Sequence, residues 1–233
     1  MGGKANAASL FDIEAAVTMQ LHYYPSTAAM IPHIVLEELG VPYQRVLVDR
    51  AQNRHKEPAY LRLNPNGLIP VLTDGELVLY ESAAIVLHLA DTQLRAQLAP
   101  ALATPERAEF YKWLMWLTNT LQATLMVYFY PERWVDESNA AGVAQVKAHA
   151  HARTLGLLQQ LEVQLARTGG PWLLGARYSV LDAYAFTLCR WTRNFSHGKA
   201  RELPQLGPYL QRMLARPAVQ RVLAAEEVSA PYV

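Results

Sequence analysis

The chain has 233 residues, of which 52% are hydrophobic and 18% charged, a balance that excludes long-range disorder. Twenty-one Lys and Arg face twenty Asp and Glu, and the net charge of +1 gives no sign of a nucleic-acid or membrane-surface partner. One cysteine, Cys189, rules out an internal disulfide, a Cys-x-x-Cys redox pair and a cysteine-rich zinc site.

Residues 1–18 are Ala- and Gly-rich at the start and carry Lys4, Asp12 and Glu14, with no apolar run of signal-peptide length. They read as a leader or extension outside the fold; a native arm with a short helix over Ser9 to Ala16 is the alternative. No stretch of about 18 apolar residues occurs, so no membrane-spanning helix is expected. Met19 to Tyr24 is β-prone and stops at Pro25. Ser26 and Thr27 offer an N-cap for a helix from Ala28 to Leu39, which Gly40 and Pro42 end. Tyr43 to Val48 reads as a second strand, and Ala59 to Leu63 as a short helical turn.

Asn64-Pro65-Asn66-Gly67 is a dense turn signal, followed by β-prone Leu68 to Leu72 with Pro70 inside it. Thr73-Asp74-Gly75-Glu76 reads as a hairpin turn centred on Asp-Gly, with Leu77 to Tyr80 as the return strand. Glu81-Ser82 then opens an amphipathic helix to about Leu94. After an Ala/Pro linker, Thr104-Pro105 starts a long helix to about Tyr130. A second runs from about Glu137 to Arg167, Ser179-Val180-Leu181-Asp182 opens a third, and two short helices fill Pro204 to Ala224. The expectation is an α+β protein in two domains: 19–97 with the order βαβαββα, and an all-helical bundle over 105–224. No G-x-G-x-x-G and no G-x-x-x-x-G-K-[ST] is present, against a nucleotide-binding reading.

Three places can carry chemistry. Pro70, in an otherwise central strand, fits either an edge strand or a cis Ile69–Pro70 bond that turns the Ile69 backbone outward to pair with an extended ligand. Glu81-Ser82 sits where free N–H groups and the positive helix end favour an anion, although for the pair taken alone plain capping is the commoner explanation. Tyr23-Tyr24-Pro25-Ser26-Thr27 joins the first strand to the first helix, and a hydroxyl there could stabilise a bound thiolate; a cap at Ser26 or Thr27 is the competing explanation.

Together Asn64-Pro65-Asn66-Gly67-Leu68-Ile69-Pro70-Val71-Leu72, Glu81-Ser82-Ala83-Ala84-Ile85 and Ser179-Val180-Leu181-Asp182 resemble, in order and spacing, the segments of a cytosolic glutathione transferase. The resemblance covers nearly everything from Met19 onward. It implies a thioredoxin-like N-terminal domain that binds glutathione as co-substrate, a helical domain that holds a hydrophobic electrophile, a cytoplasmic homodimer, and no metal. It assigns Ile69, beside Pro70, to the cysteinyl backbone; Ser82 and the backbone of Glu81 to the γ-glutamyl carboxylate; and His55 and Lys56 to the glycine end. For the electrophile pocket, helical spacing selects Trp116, Thr120, Leu121, Thr124 and Tyr128.

The resemblance also extends to bacterial beta-class members, whose cysteine falls at Ala28 here, so mixed-disulfide chemistry through that position is excluded. Alignment through Leu36-Glu37-Glu38-Leu39-Gly40 places Ser26 where serine-type members carry their serine, with Thr27, Tyr23, Tyr24 and backbone N–H groups as rivals. The expected activity is attack of the activated thiolate on the electrophile. A non-catalytic glutathione-binding, regulatory or carrier protein of the same fold, and a glutathione-dependent isomerase, dehalogenase or ether-cleaving enzyme, are the alternatives.

Overall fold

The computed structural model describes residues 18–233. The expectation for residues 1–17 lies outside the described residues. Thr18, which that expectation leaves with the extension, donates a hydrogen bond to Asp74.

The N-terminal part is a four-stranded mixed sheet in the order β2-β1-β3-β4, formed by β1 (Gln20–Tyr23), β2 (Gln44–Leu47), β3 (Val71–Asp74) and β4 (Leu77–Tyr80). β1 runs parallel to β2 and antiparallel to β3, and β3 pairs antiparallel with β4. Helices α1 (Met30–Leu39) and α3 (Ser82–Thr92) cover one face, with Ile31, Ile34, Val35, Ile85 and Val86 fully buried against Leu21 and Leu72. Burying each such side chain contributes about 1.5–3 kcal/mol. The short helix α2 (Pro58–Leu61) covers the other face, where Tyr60 packs with Val48 and Val71. This is the thioredoxin-like βαβαββα arrangement.

Several boundaries differ from expectation for local reasons. α1 starts at Met30, two residues late, because Ser26 adopts a left-handed backbone (φ 61°) and residues 27–29 complete a turn before the helix begins. Ala29 holds the N-cap position without a side-chain bond. The third strand starts only after the Ile69–Pro70 bond, which is cis; Leu68 is exposed, and its carbonyl accepts from the Tyr60 hydroxyl (2.8 Å) and the Asn64 amide (2.9 Å). The hairpin is shifted by one residue: Asp74 already pairs with Leu77, so its loop is Gly75-Glu76, with φ 57° at Gly75.

The C-terminal part is helical. Helix α4 (Pro105–Trp116), N-capped by Thr104, passes into a wide π-helical segment, Leu117–Gln122, and then into α5 (Ala123–Phe129). Helix α6 (Ala140–Thr168) packs along α5, and α8 (Leu206–Leu214) and α9 (Pro217–Ala225) close the bundle. At its centre every residue of α7 (Val180–Arg190) is buried. Its start is the capping box seen in the sequence, with the Asp182 carboxylate accepting from the Ser179 N–H at 2.8 Å. The two parts share one continuous core through α1, α3, α4 and α7. Ion pairs Arg216–Glu38 and Arg221–Glu37 clamp the end of the bundle onto α1. No described helix is long and apolar enough to cross a membrane.

Candidate active site

A cavity of about 490 Å³ lies between the two parts, a size suited to one small organic ligand. Its sheet-side wall is built of turns: Ser26, Thr27 and Ala28 after β1, His55 and Lys56 before α2, and Asn66 to Ile69 before the cis Pro70. Its other wall is helical, from Gln122, Met126, Phe129, Tyr130 and Arg133 together with Trp191 and Arg193. Arg50 spans the two walls, its Nη2 donating to the Tyr130 hydroxyl at 3.2 Å.

Of the hydroxyl candidates, Ser26 and Thr27 line the cavity. Tyr23 and Tyr24 are not in its lining: Tyr23 packs between His33 and the Arg45 guanidinium, and the Tyr24 carbonyl accepts from Thr27. The two lining hydroxyls differ in what they have left to give. Thr27 Oγ1 donates its proton to Tyr24 O at 2.7 Å and accepts from Ala29 N, closing its own turn. Ser26 Oγ instead accepts from Arg190 Nη2 at 3.3 Å. With the lone pair engaged, the Ser26 proton remains available for another acceptor.

Behind Ser26 lies a buried charged cluster that sequence patterns did not reveal. The Ser26 N–H donates to Glu226 Oε2 at 2.8 Å, and the other carboxylate oxygen of Glu226 meets His33 Nδ1 at 2.7 Å. Glu226, His33 and Arg190 are all almost fully buried. Burial, reinforced by the charge of Arg193 and opposed by Glu226, lowers the Arg190 pKa to about 10, which still leaves it cationic at neutral pH. Its Nε and Nη1 have no hydrogen-bond partner among the described residues. Six described non-glycine residues have positive φ, among them Ser26, the candidate thiol activator, and Glu81, the candidate carboxylate binder. Such conformations cost about 1–3 kcal/mol each and concentrate at functional sites.

Lys56 folds over Gly67, whose φ is 59°. A Cβ there would lie 2.8 Å from the Lys56 amine and 2.9 Å from the His55 carbonyl, so only glycine admits this arrangement. Burial, then the charges of Arg50 and Lys56, lowers the His55 pKa and keeps that ring neutral. Ser82 is the first residue of α3 and 6% exposed; Glu81 holds the N-cap position before it without a side-chain cap. Pro70 is buried, and neither it nor Glu81 or Ser82 is in the lining of the main cavity.

The five residues expected to form the electrophile pocket are placed elsewhere. Leu121 and Thr124 are buried, and Thr124 Oγ1 bonds back to Thr120 O at 2.7 Å. Trp116 stacks edge-on against Trp113, and Tyr128 packs at a tilt against Phe195, 4.4 Å between ring centroids. None of the five is in the lining of the cavity. Trp116 ends α4 ahead of the π-helical segment 117–122; beyond it, spacing counted straight through at 3.6 residues per turn misses the extra residue, which delays Thr124 and Tyr128 by about one position, roughly 100° of rotation. Gln122, Met126, Phe129 and Arg133 face the cavity instead.

Residues 18–91 match the glutathione S-transferase N-terminal domain and residues 124–226 the glutathione S-transferase C-terminal domain. The chain belongs to the glutathione transferase family. It is 31% identical over 208 residues to glutathione S-transferase GST-4.5 of Xanthomonas campestris pv. campestris, covering 89% of this chain and 98% of that one. It is 30% identical to glutathione S-transferase GstA of Escherichia coli O157:H7, again over 89% of this chain and 98% of the relative. A Sulfitobacter glutathione transferase homologue, solved with bound glutathione, superimposes with a TM-score of 0.81 at 26% identity over 90% of this chain and 98% of its own. Glutathione is thus the ligand seen in a structural neighbour of this transferase fold. Among the described residues no group of three or more His, Cys, Asp or Glu is placed to hold a metal ion.

Proposed function

We propose that this protein is a glutathione transferase that binds glutathione against residues 19–97, activates its thiol with Ser26, and presents it to an electrophile held by residues 105–224. The Arg190–Ser26 contact carries the reading. Arg190 donates into Ser26 Oγ, so the serine proton points to a bound sulfur, and the buried guanidinium strengthens that donor. An ordinary thiol titrates near ~8.5, and a hydrogen bond to its charged form lowers that value. Thr27, with its proton committed to Tyr24, is the weaker donor. Ala28 lines the cleft in place of a sulfur nucleophile, so no covalent enzyme intermediate forms there.

In this reading the Ile69 backbone pairs with the cysteinyl residue beside Pro70, Lys56 takes the glycine carboxylate with neutral His55 beside it, and Ser82 with the Glu81 backbone takes the γ-glutamyl carboxylate at the α3 N-terminus. Met126, Phe129, Tyr130 and Trp191 form the electrophile wall. The thiol proton leaves to solvent, sulfur forms the new bond to carbon, and the leaving group departs with its electron pair. No metal takes part, and the enzyme is a cytoplasmic homodimer.

The test is the pH–rate profile of glutathione conjugation. Ser26→Ala is expected to slow turnover about a hundredfold at neutral pH, the usual loss of one aimed donor, and to move the rise in rate to higher pH. Ser26→Gly, free of strain at φ 61°, is expected to lose as much. An unchanged profile in both removes Ser26 from the role. Glutathione binding by calorimetry without conjugation supports a carrier protein instead.

A further inference from the structure

We propose that the electrophile accepted by this cleft is an anionic aromatic compound, a haloaryl carboxylate or its like, whose carboxylate is held by Arg193 with Arg133 nearby. The proposal rests on the transferase reading and adds the substrate class to it.

The cavity lining contains four permanent cations, Arg50, Lys56, Arg133 and Arg193, and no Asp or Glu. Outside the cleft, Arg107 pairs with Asp91, Arg216 with Glu38 and Arg221 with Glu37, whereas Arg45, Arg62, Arg190 and Arg212 among others have no carboxylate partner among the described residues, so what sets the cleft apart is the gathering of four cations in one lining without an acid. None of the four cleft cations has a carboxylate within ion-pair distance among the described residues. Arg193 is half-buried, and its one protein bond is Nη1 to the Arg190 carbonyl at 3.1 Å. An unpaired, partly desolvated guanidinium is unfavourable unless a ligand supplies the anion.

Glutathione accounts for part of this charge. Its thiolate form carries a net charge of about −2 at neutral pH, and its carboxylates fall to Lys56 and the α3 N-terminus. Three arginines remain beside the helical wall. Arg50 and Arg133 converge on Tyr130, the first through the hydroxyl at 3.2 Å and the second with its guanidinium 4.1 Å from the ring centroid. Phe129 and Trp191 stand edge to face, 6.2 Å apart, and supply flat apolar surface. A wall of aromatic rings edged by forked donors suits a planar ring bearing a carboxylate. A neutral electrophile would use the rings and leave the arginines uncompensated.

In the reaction, the glutathione thiolate attacks the ring carbon bearing halide, the C–S bond forms, and halide leaves with the C–halide pair. The experiment compares a chloronitrobenzoate with its neutral carboxamide, dividing each kcat/KM by the uncatalysed rate with glutathione. The acid is expected to be favoured about tenfold, equivalent to ~1.4 kcal/mol, with the preference shrinking as salt is raised. Arg193→Met is expected to bring the ratio towards one, and Arg193→Lys to retain part of it. An equal or greater ratio for the carboxamide, or an acid preference insensitive to both salt and Arg193→Met, overturns the inference while leaving the transferase reading intact. Conjugation of neither compound overturns the transferase reading and the inference together.

Discussion

The cleft wall from residues 26–69 is made of turns, whereas the wall from residues 122–193 is made of side chains projecting from helices. On the first wall the backbone is the working surface: Ser26 and Gly67 at positive φ and a cis bond before Pro70. These features depend on a few adjacent residues. On the second wall nothing is decided locally. Which residues face the cavity follows from the rotation of α4 into α5 through one wide turn, and Arg190 reaches Ser26 only because α7 runs buried through the whole bundle. The turn-built wall suits a ligand of fixed shape, and the side-chain wall can change from one substrate to another.

The largest effect is expected where the two walls are tied together. Glu226→Ala removes the acceptor of the Ser26 N–H and strands a buried His33, and should cost roughly 3 kcal/mol in a urea titration. A loss below about 1 kcal/mol would mean that the turn supports itself. Next, Phe129→Ala should raise the electrophile KM about tenfold, or ~1.4 kcal/mol, with little change in glutathione affinity. Trp116→Ala, which removes packing on Trp113, should lower Tm and leave both KM values as they were. The opposite pattern would restore the helix face chosen by simple spacing.

A smaller change is expected from Gly67→Ala. The added methyl would lie 2.9 Å from the His55 carbonyl and 2.8 Å from the Lys56 amine at a left-handed position, so the turn must shift and the amine move aside, and glutathione KM should rise several-fold at constant kcat. The smallest effect belongs to Cys189, whose thiol is pushed by burial to about 12 from an ordinary 9.0. The native protein should resist thiol reagents at pH 8. Because the unfolded chain releases this proton first, stability should fall only as pH rises from about 9 through about 12, and a Cys189→Ala variant should lack that part of the decline.

The difference between the walls also explains what the sequence made legible. Asn64-Pro65-Asn66-Gly67, Pro70, Glu81-Ser82 and the Ser179–Asp182 box are short signals whose meaning lies within a few residues, and they locate the sheet, the hairpin and the turn-built wall. The loop holding Ser26 and Thr27 was visible too, but which hydroxyl keeps its proton depends on Arg190, far away in sequence. Gln122, Met126, Phe129 and Arg133 were missed because a π turn carries no marked residue pattern. Glu226 and Arg193 look like ordinary charged helix-end residues until the fold brings them to β1 and the cleft.

The Ser26–Glu226 bond joins residues 200 positions apart. At a synthesis rate of about 5–20 residues per second, roughly 10–40 s separate the appearance of the two partners. The nascent chain can pair its sheet early, since the strands lie close together in sequence, yet the turn bearing Ser26 has no carboxylate to hold it until α9 has been made. Competence for binding is therefore one of the last properties the growing chain acquires.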